Sequence, residues 1–95
     1  MVYNLEKEII VFKALSDPLR LLLLRTIHGK ERVCVCELTE KVCMSQSKLS
    51  YHLKMLLEAK LIHLHPEGKW NFYSINHDTF RAKLSEECIA ILFSE

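Results

Sequence analysis

A mainly α-helical fold with one β-hairpin is predicted for this chain of 95 residues by three observations. Only two glycines and two prolines punctuate it, so the backbone has few forced stops. Apolar side chains recur three and four residues apart through most of its length, the period of a helix with one buried face. One stretch after Lys60 changes to a period of two, that of a strand. The length suits a single domain, residues 1–95, because domains commonly run about 100–150 residues. At 49% apolar and 26% charged residues the chain is expected to fold rather than stay disordered. A domain this small buries only about 60–65% of its unfolded surface, so an oligomer is expected.

Each element follows from local signals. Leu5, Ile9, Phe12 and Leu15, with Ile10 and Val11 beside them, place a first helix over residues 3–15. Ser16, Asp17 and Pro18 end it and start the second, a capping side chain followed by a proline whose missing N–H costs nothing in a first turn. The second helix runs to Ile27, Gly29 is the stop expected just past it, and Lys30, Glu31 and Arg32 form a charged connector. After Val33, residues 36–42 read as a short third helix with Val35, Leu38 and Val42 inward. Cys43 and Met44 make a turn. Ser45 then caps a fourth helix that continues to Lys60 and carries Leu49, Leu53, Leu56 and Leu57 on one face.

Two short helices joined by such a turn, the second with a polar outer face, form a helix-turn-helix. Ile62 and Leu64 alternate with His63 and His65, Pro66, Glu67, Gly68 and Lys69 supply a turn, and residues 70–75 are rich in strand formers. This hairpin makes the whole a winged helix-turn-helix, its wing carrying Lys69 near the tip. From Asn76, the residues Phe80, Leu84, Cys88, Ile91 and Leu92 mark one last helix, longer than a small core needs. The first and last helices are the expected surface of a homodimer.

The net charge is +1, which alone names no partner. Its distribution is more informative: +1 over residues 1–44, +2 over 45–75 and −2 over 76–95, with His52, His63 and His65 in the basic middle. On the outer face of the fourth helix lie Gln46, Ser47, Ser50, Tyr51 and Lys54, residue types that hydrogen-bond base edges or phosphates in a major groove. A solvated helix face has the same polarity; the basic-tipped hairpin behind it favours DNA, with His63, His65 and Lys69 placed to meet phosphates.

No apolar run approaches the roughly 20 residues that span a bilayer, and no signal-peptide pattern opens the sequence. A cytoplasmic protein with no membrane partner is expected. In that reducing compartment four cysteines point to metal binding or thiol reactivity rather than structural disulfides. Cys34 and Cys36 open the third helix, where the helix terminus favours the thiolate that binds soft metals. Residues two apart on a regular helix point about 200° from each other, so this pair shares one ion only if the first turn is irregular or deforms. Cys43 lies seven residues on, about 10.5 Å along an unbroken helix, and Cys88 sits on the apolar stripe of the last helix; either is a candidate third ligand. With no phosphate-binding glycine loop and no nucleophile–base pairing, no enzyme is expected.

Four segments carry a resemblance to the ArsR/SmtB family of arsenic- and metal-responsive repressors over nearly the whole chain. They are Ala14-Leu15-Ser16-Asp17-Pro18-Leu19-Arg20, Val33-Cys34-Val35-Cys36-Glu37-Leu38, residues 44–54 from Met44-Ser45-Gln46-Ser47-Lys48 to Ser50-Tyr51-His52-Leu53-Lys54, and Gly68-Lys69-Trp70-Asn71-Phe72-Tyr73. The resemblance implies a homodimeric winged helix that represses a detoxification operon until a toxic ion releases it from operator DNA. It assigns base reading to Gln46, Ser47, Ser50 and Tyr51, within a DNA-binding set that also holds Ser45, Lys48, Lys54 and Lys69, and it assigns the inducer site to Cys34 and Cys36.

The sequence also departs from the family pattern. Where arsenic-sensing members often have a third cysteine, this chain has Thr39. No cysteine precedes Cys34, which disfavours the cadmium and lead pattern. Positions matching the zinc ligands of the last helix begin at His77 and run into Thr79, Ala90 and Phe93, so that site is absent. Trivalent arsenic or antimony is therefore the expected inducer, with Cys43, Cys88 or a small-molecule thiol as third ligand. Cd(II) or Pb(II), or a thiol-redox switch that needs no ion, stand as alternatives.

Overall fold

The computed structural model describes residues 5–94. In order it contains α1 (Glu6–Leu15), α2 (Pro18–His28), β1 (Val33–Cys34), α3 (Val35–Lys41), α4 (Gln46–Glu58), β2 (Ile62–Glu67), β3 (Trp70–Ile75), α5 (His77–Lys83) and α6 (Glu86–Phe93). The architecture is a winged helix-turn-helix, as the sequence predicts. Residues 3 and 4 of the expected first helix lie outside the described residues.

Side-chain caps set the helix limits. The Asp17 carboxylate accepts from the Leu19 N–H at 2.8 Å and starts α2, with Pro18 in its first turn. Ser45 does the same for α4, accepting from the Lys48 N–H at 3.2 Å. Helix α4 ends at Glu58, two residues short of the sequence expectation; Lys60 then takes a φ of 59°, in the left-handed region, and the N–H groups of Lys60 and Leu61 donate to the carbonyls of Leu57 and Leu56. That turn aims the chain into β2 and buries Leu61.

The core gathers Leu23, Leu24 and Ile27 of α2, Leu38 and Val42 around α3, Leu49, Leu53 and Leu56 of α4, and Phe80 of α5. Leu57 is only partly buried at its edge. The wing is tighter than the sequence suggests. Pro66 pairs with Asn71 and Glu67 with Trp70, so only Gly68 and Lys69 form the turn, and Gly68 takes the positive φ that a two-residue hairpin requires.

Two expectations are corrected. The sheet has three strands in the order β1-β3-β2, because Val33 and Cys34 pair antiparallel with Tyr73 and Phe72. A two-residue strand is too short to show a period, and the buried Val33–Tyr73 pair is what holds it. The single last helix is instead two. Leu84 and Ser85 take extended backbone, and the Ser85 hydroxyl caps α6 by accepting from the Cys88 N–H at 3.1 Å. The break lets Phe80 enter the core while α6 lies against α2, where Arg25 Nε donates to the Leu92 carbonyl at 2.7 Å and Nη2 to that of Ile91 at 3.2 Å.

Candidate nucleic-acid interface and thiol site

Helix α4 turns its leucines inward, and the same 3.6-residue period turns its polar residues out. Ser45, Gln46, Ser47, Lys48, Ser50, Tyr51 and Lys54 are all exposed, as is Lys69 at the wing tip. Among the described residues none of Lys48, Lys54 and Lys69 makes an ion pair; Lys69 Nζ lies 6.0 Å from the centroid of the Trp70 ring. Their charges are therefore open to an anionic partner. His63 is exposed on the outer face of β2, while His65 is half-buried and within 2.8 Å of the Ser74 hydroxyl, which leaves it less available than the sequence suggests.

His52 does not add to this basic face. It is 4% exposed on the inner side of α4, where Arg20 of α2 donates to its Nδ1 at 3.0 Å. Arginine has no acceptor, so the ring proton sits on Nε2, which is buried without a partner among the described residues. Burial pushes the His52 pKa below 6.5; Asp17 opposes this and Arg20 adds to it, so the ring is neutral at pH 7. Arg20 also donates from Nε to the Ala14 carbonyl at 2.8 Å and from Nη2 to that of Lys13 at 2.9 Å. One buried guanidinium thus closes the end of α1 and fixes α4 against α2. Sequence reasoning saw Arg20 and His52 only as parts of segments; the signal was two polar residues at otherwise inward positions.

At the thiol site the start of α3 departs from a regular turn, the condition on which the sequence left the pairing of the two cysteines to depend. Cys34 is not in α3 but is its N-cap, in extended conformation with φ −72° and ψ 144°. Its Sγ accepts from the Cys36 N–H at 3.3 Å, so the sulfur folds back over the residue two ahead instead of pointing away. Cys34 and Cys36 are joined as a disulfide, with Cα atoms 5.2 Å apart. The Cys34 sulfur is buried and Cys36 is exposed, so the pair opens to solvent on one side.

Glu37 completes the cap. Its carboxylate binds Lys30 and faces the Cys34 backbone N–H, and these two contacts, Lys30 first, hold its pKa below the ordinary 4.5. Cys34 and Glu37 thus form a capping box in which a cysteine sulfur stands where a serine or threonine hydroxyl is usual.

The structure does not bring a third ligand to this pair. Cys43 is a free, exposed residue beyond α3, and Cys88 is free and half-buried on α6. Among the described residues no three His, Cys, Asp or Glu side chains form a group able to hold a metal ion. Once reduced, two adjacent sulfurs would suit a thiophilic ion that takes its remaining ligand from outside. No described helix is long and apolar enough to cross a membrane.

Comparison with known proteins agrees with this architecture. Residues 17–63 match the family described as bacterial regulatory protein, arsR family. The chain is 45% identical over 80 residues to an arsenical resistance operon repressor of Bacillus subtilis, covering 84% of this chain and 76% of that one. It is 37% identical over 68 residues to the arsenical resistance operon repressor of Staphylococcus xylosus, covering 72% and 64% of the two chains. Among solved structures, HlyU from Vibrio cholerae superposes with a TM-score of 0.74 at 26% identity, over 100% of both chains.

Proposed function

Because the chain belongs to the arsR family of bacterial regulatory proteins, and is by that membership a DNA-binding transcriptional repressor rather than an enzyme, we propose that trivalent arsenic or antimony, bound by the thiolates of Cys34 and Cys36, releases it from its operator. The observation that carries this reading is the capping geometry of Cys34, which sets two sulfurs side by side at the base of the helix-turn-helix. Arsenous acid bound by the reduced pair would lose two hydroxyls as water, taking the two thiol protons, as two S–As bonds form. The relatives named as arsenical resistance operon repressors favour the same inducer.

The operator-bound form is a homodimer in this proposal. Leu5, Ile9 and Phe12 of the first helical segment, Leu22 of α2 and Ile91 of α6 are exposed, and α6 buries none of its residues. Apolar helices left uncovered by a chain of this size need a partner. Joining two copies through them would set two α4 helices about 34 Å apart, in successive major grooves. Gln46, Ser47, Ser50 and Tyr51 then read base edges, and Ser45, Lys48, Lys54 and Lys69 hold phosphates.

Release follows from the double use of one sulfur. Seating an arsenic atom between the two sulfurs moves Sγ of Cys34 away from the Cys36 N–H that it caps, so the first turn of α3 loosens and α4 loses its alignment. A coupling of about 3 kcal/mol is enough for more than a hundredfold weaker operator binding. The deciding experiment titrates the reduced protein on its own promoter DNA with arsenite, and separately with cadmium, following release by fluorescence anisotropy. Release near one equivalent of arsenite supports the proposal. Release by cadmium or lead alone moves the pair to a divalent sensor, and release by an oxidant alone moves it to a thiol-redox repressor, the reading that the Cys34–Cys36 disulfide favours.

A further inference from the structure

Cys34 belongs to two elements at once: it is the N-cap of α3 and the last residue of β1. A displacement of its sulfur therefore has two ways to travel, forward through α3 into α4 and backward through β1 into the wing. The second path is short. Cys34 pairs with Phe72 of β3, and Phe72 pairs with His65 of β2, so one row crosses the sheet from the thiol site into the hairpin.

Arg32, two residues before Cys34, closes over the same row. Its guanidinium carbon lies 4.7 Å from the centroid of the Phe72 ring, and Nη2 lies 2.7 Å from Glu67 Oε1, next to the wing turn. Its Nε and Nη2 are buried and, apart from that ion pair, have no hydrogen-bond partner among the described residues. The guanidinium is thus held by one ring and one carboxylate, both on the wing, and a small shift of β1 breaks that hold. An arginine that served only solubility would keep all its N–H groups in water.

We propose that Arg32 is a positioning residue that relays the state of Cys34 to the wing, so that the inducer disengages the hairpin as well as α4. The proposal rests on Cys34 and Cys36 being the inducer site. It gives the wing, with Lys69 at its tip, a share in release that the helix-turn-helix alone would not provide.

Trp70 supplies the readout. It is the only tryptophan of the chain, is half exposed, and pairs directly with Glu67, the residue that Arg32 holds. The reduced protein is titrated with arsenite while thiol reactivity and Trp70 emission are followed together, and operator affinity is measured at the start and end. In the unaltered chain, Trp70 emission changes along the curve of thiol protection. In Arg32→Gln, and independently in Glu67→Gln, the thiols still engage arsenite but the Trp70 response is lost. The arsenite-induced loss of operator affinity then shrinks about tenfold, equivalent to about 1.4 kcal/mol of coupling. Arg32→Lys, which keeps the charge, restores part of the response.

A purely structural Arg32 would lower the melting temperature of its variants yet leave the Trp70 change per bound arsenite intact, and that result overturns the proposal. So does an unmoved Trp70 in the unaltered chain with its thiols protected. Arsenite that leaves the thiols reactive defeats the inducer reading instead. The relay is then decided by oxidising Cys34 and Cys36 to their disulfide with diamide in a chain carrying Cys43→Ala and Cys88→Ala. A Trp70 change that requires Arg32 upholds the relay, and no change refutes it.

Discussion

Replacing Cys34 by serine and by alanine separates two roles that its sulfur holds together. Serine keeps a capping acceptor for the Cys36 N–H and removes the thiol, so Cys34→Ser folds at least as stably, binds operator and ignores arsenite. Cys34→Ala loses both roles and melts lower, by up to about 1 kcal/mol of cap. Paired melting and anisotropy curves check this; a serine variant that cannot bind operator would make the cysteine structural. His52 carries a second prediction. Burial holds its folded pKa below the 6.5 of an unfolded histidine, so the unfolded chain binds a proton first as pH falls. The stability that His52 contributes is complete above pH 6.5 and is lost as the pH drops from there through the folded value. Melting temperatures from pH 8 to 5 should fall on that limb, and His52→Gln, which still accepts from Arg20, should flatten it.

Among the elements, the proposed function gives base reading to α4 and phosphate contacts to α4 and the wing together. Gln46→Ala is expected to weaken binding to the operator by roughly 1–3 kcal/mol while sparing unrelated DNA. Lys54→Ala should weaken both equally and lower the salt slope by about one. Competition titrations at two salt concentrations distinguish them. These elements were legible in the sequence because their signals are local: Asp17 and Ser45 cap, the leucines of α4 keep a helical period, and Gly68 marks the wing turn. What was not legible is tertiary. Strand β1 is held by a partner 40 positions along the chain, Val33 against Tyr73, and two residues show no period. The break at Ser85 is hidden inside an apolar stripe that continues through it. The meeting of Cys34 and Cys36 depends on the backbone of the cap residue, since Cys34 in extended conformation folds its sulfur back over Cys36, and no local period signals that conformation.

At the scale of the whole molecule, the proposed homodimer through the exposed apolar faces of α1 and α6 would make assembly a condition of repression. Phe12→Glu or Ile91→Glu should yield a folded monomer by sedimentation, with operator affinity reduced to that of a single α4 for one half-site. The closeness of the two thiols in sequence has a thermodynamic consequence as well. A ligand stabilises a fold only by binding the native state better than the unfolded one, by about 2.7 kcal/mol at a hundred times Kd when the unfolded chain does not bind at all. Cys34 and Cys36 are separated by one residue, so the unfolded chain chelates the ion almost as readily as the native one. Inducer bound by this pair alone therefore leaves the melting temperature nearly unchanged even at saturation. A large upward shift would instead mean that a ligand remote in the chain, or one from a second copy, has joined the ion, so a melting curve counts the protein's ligands without a structure of the complex.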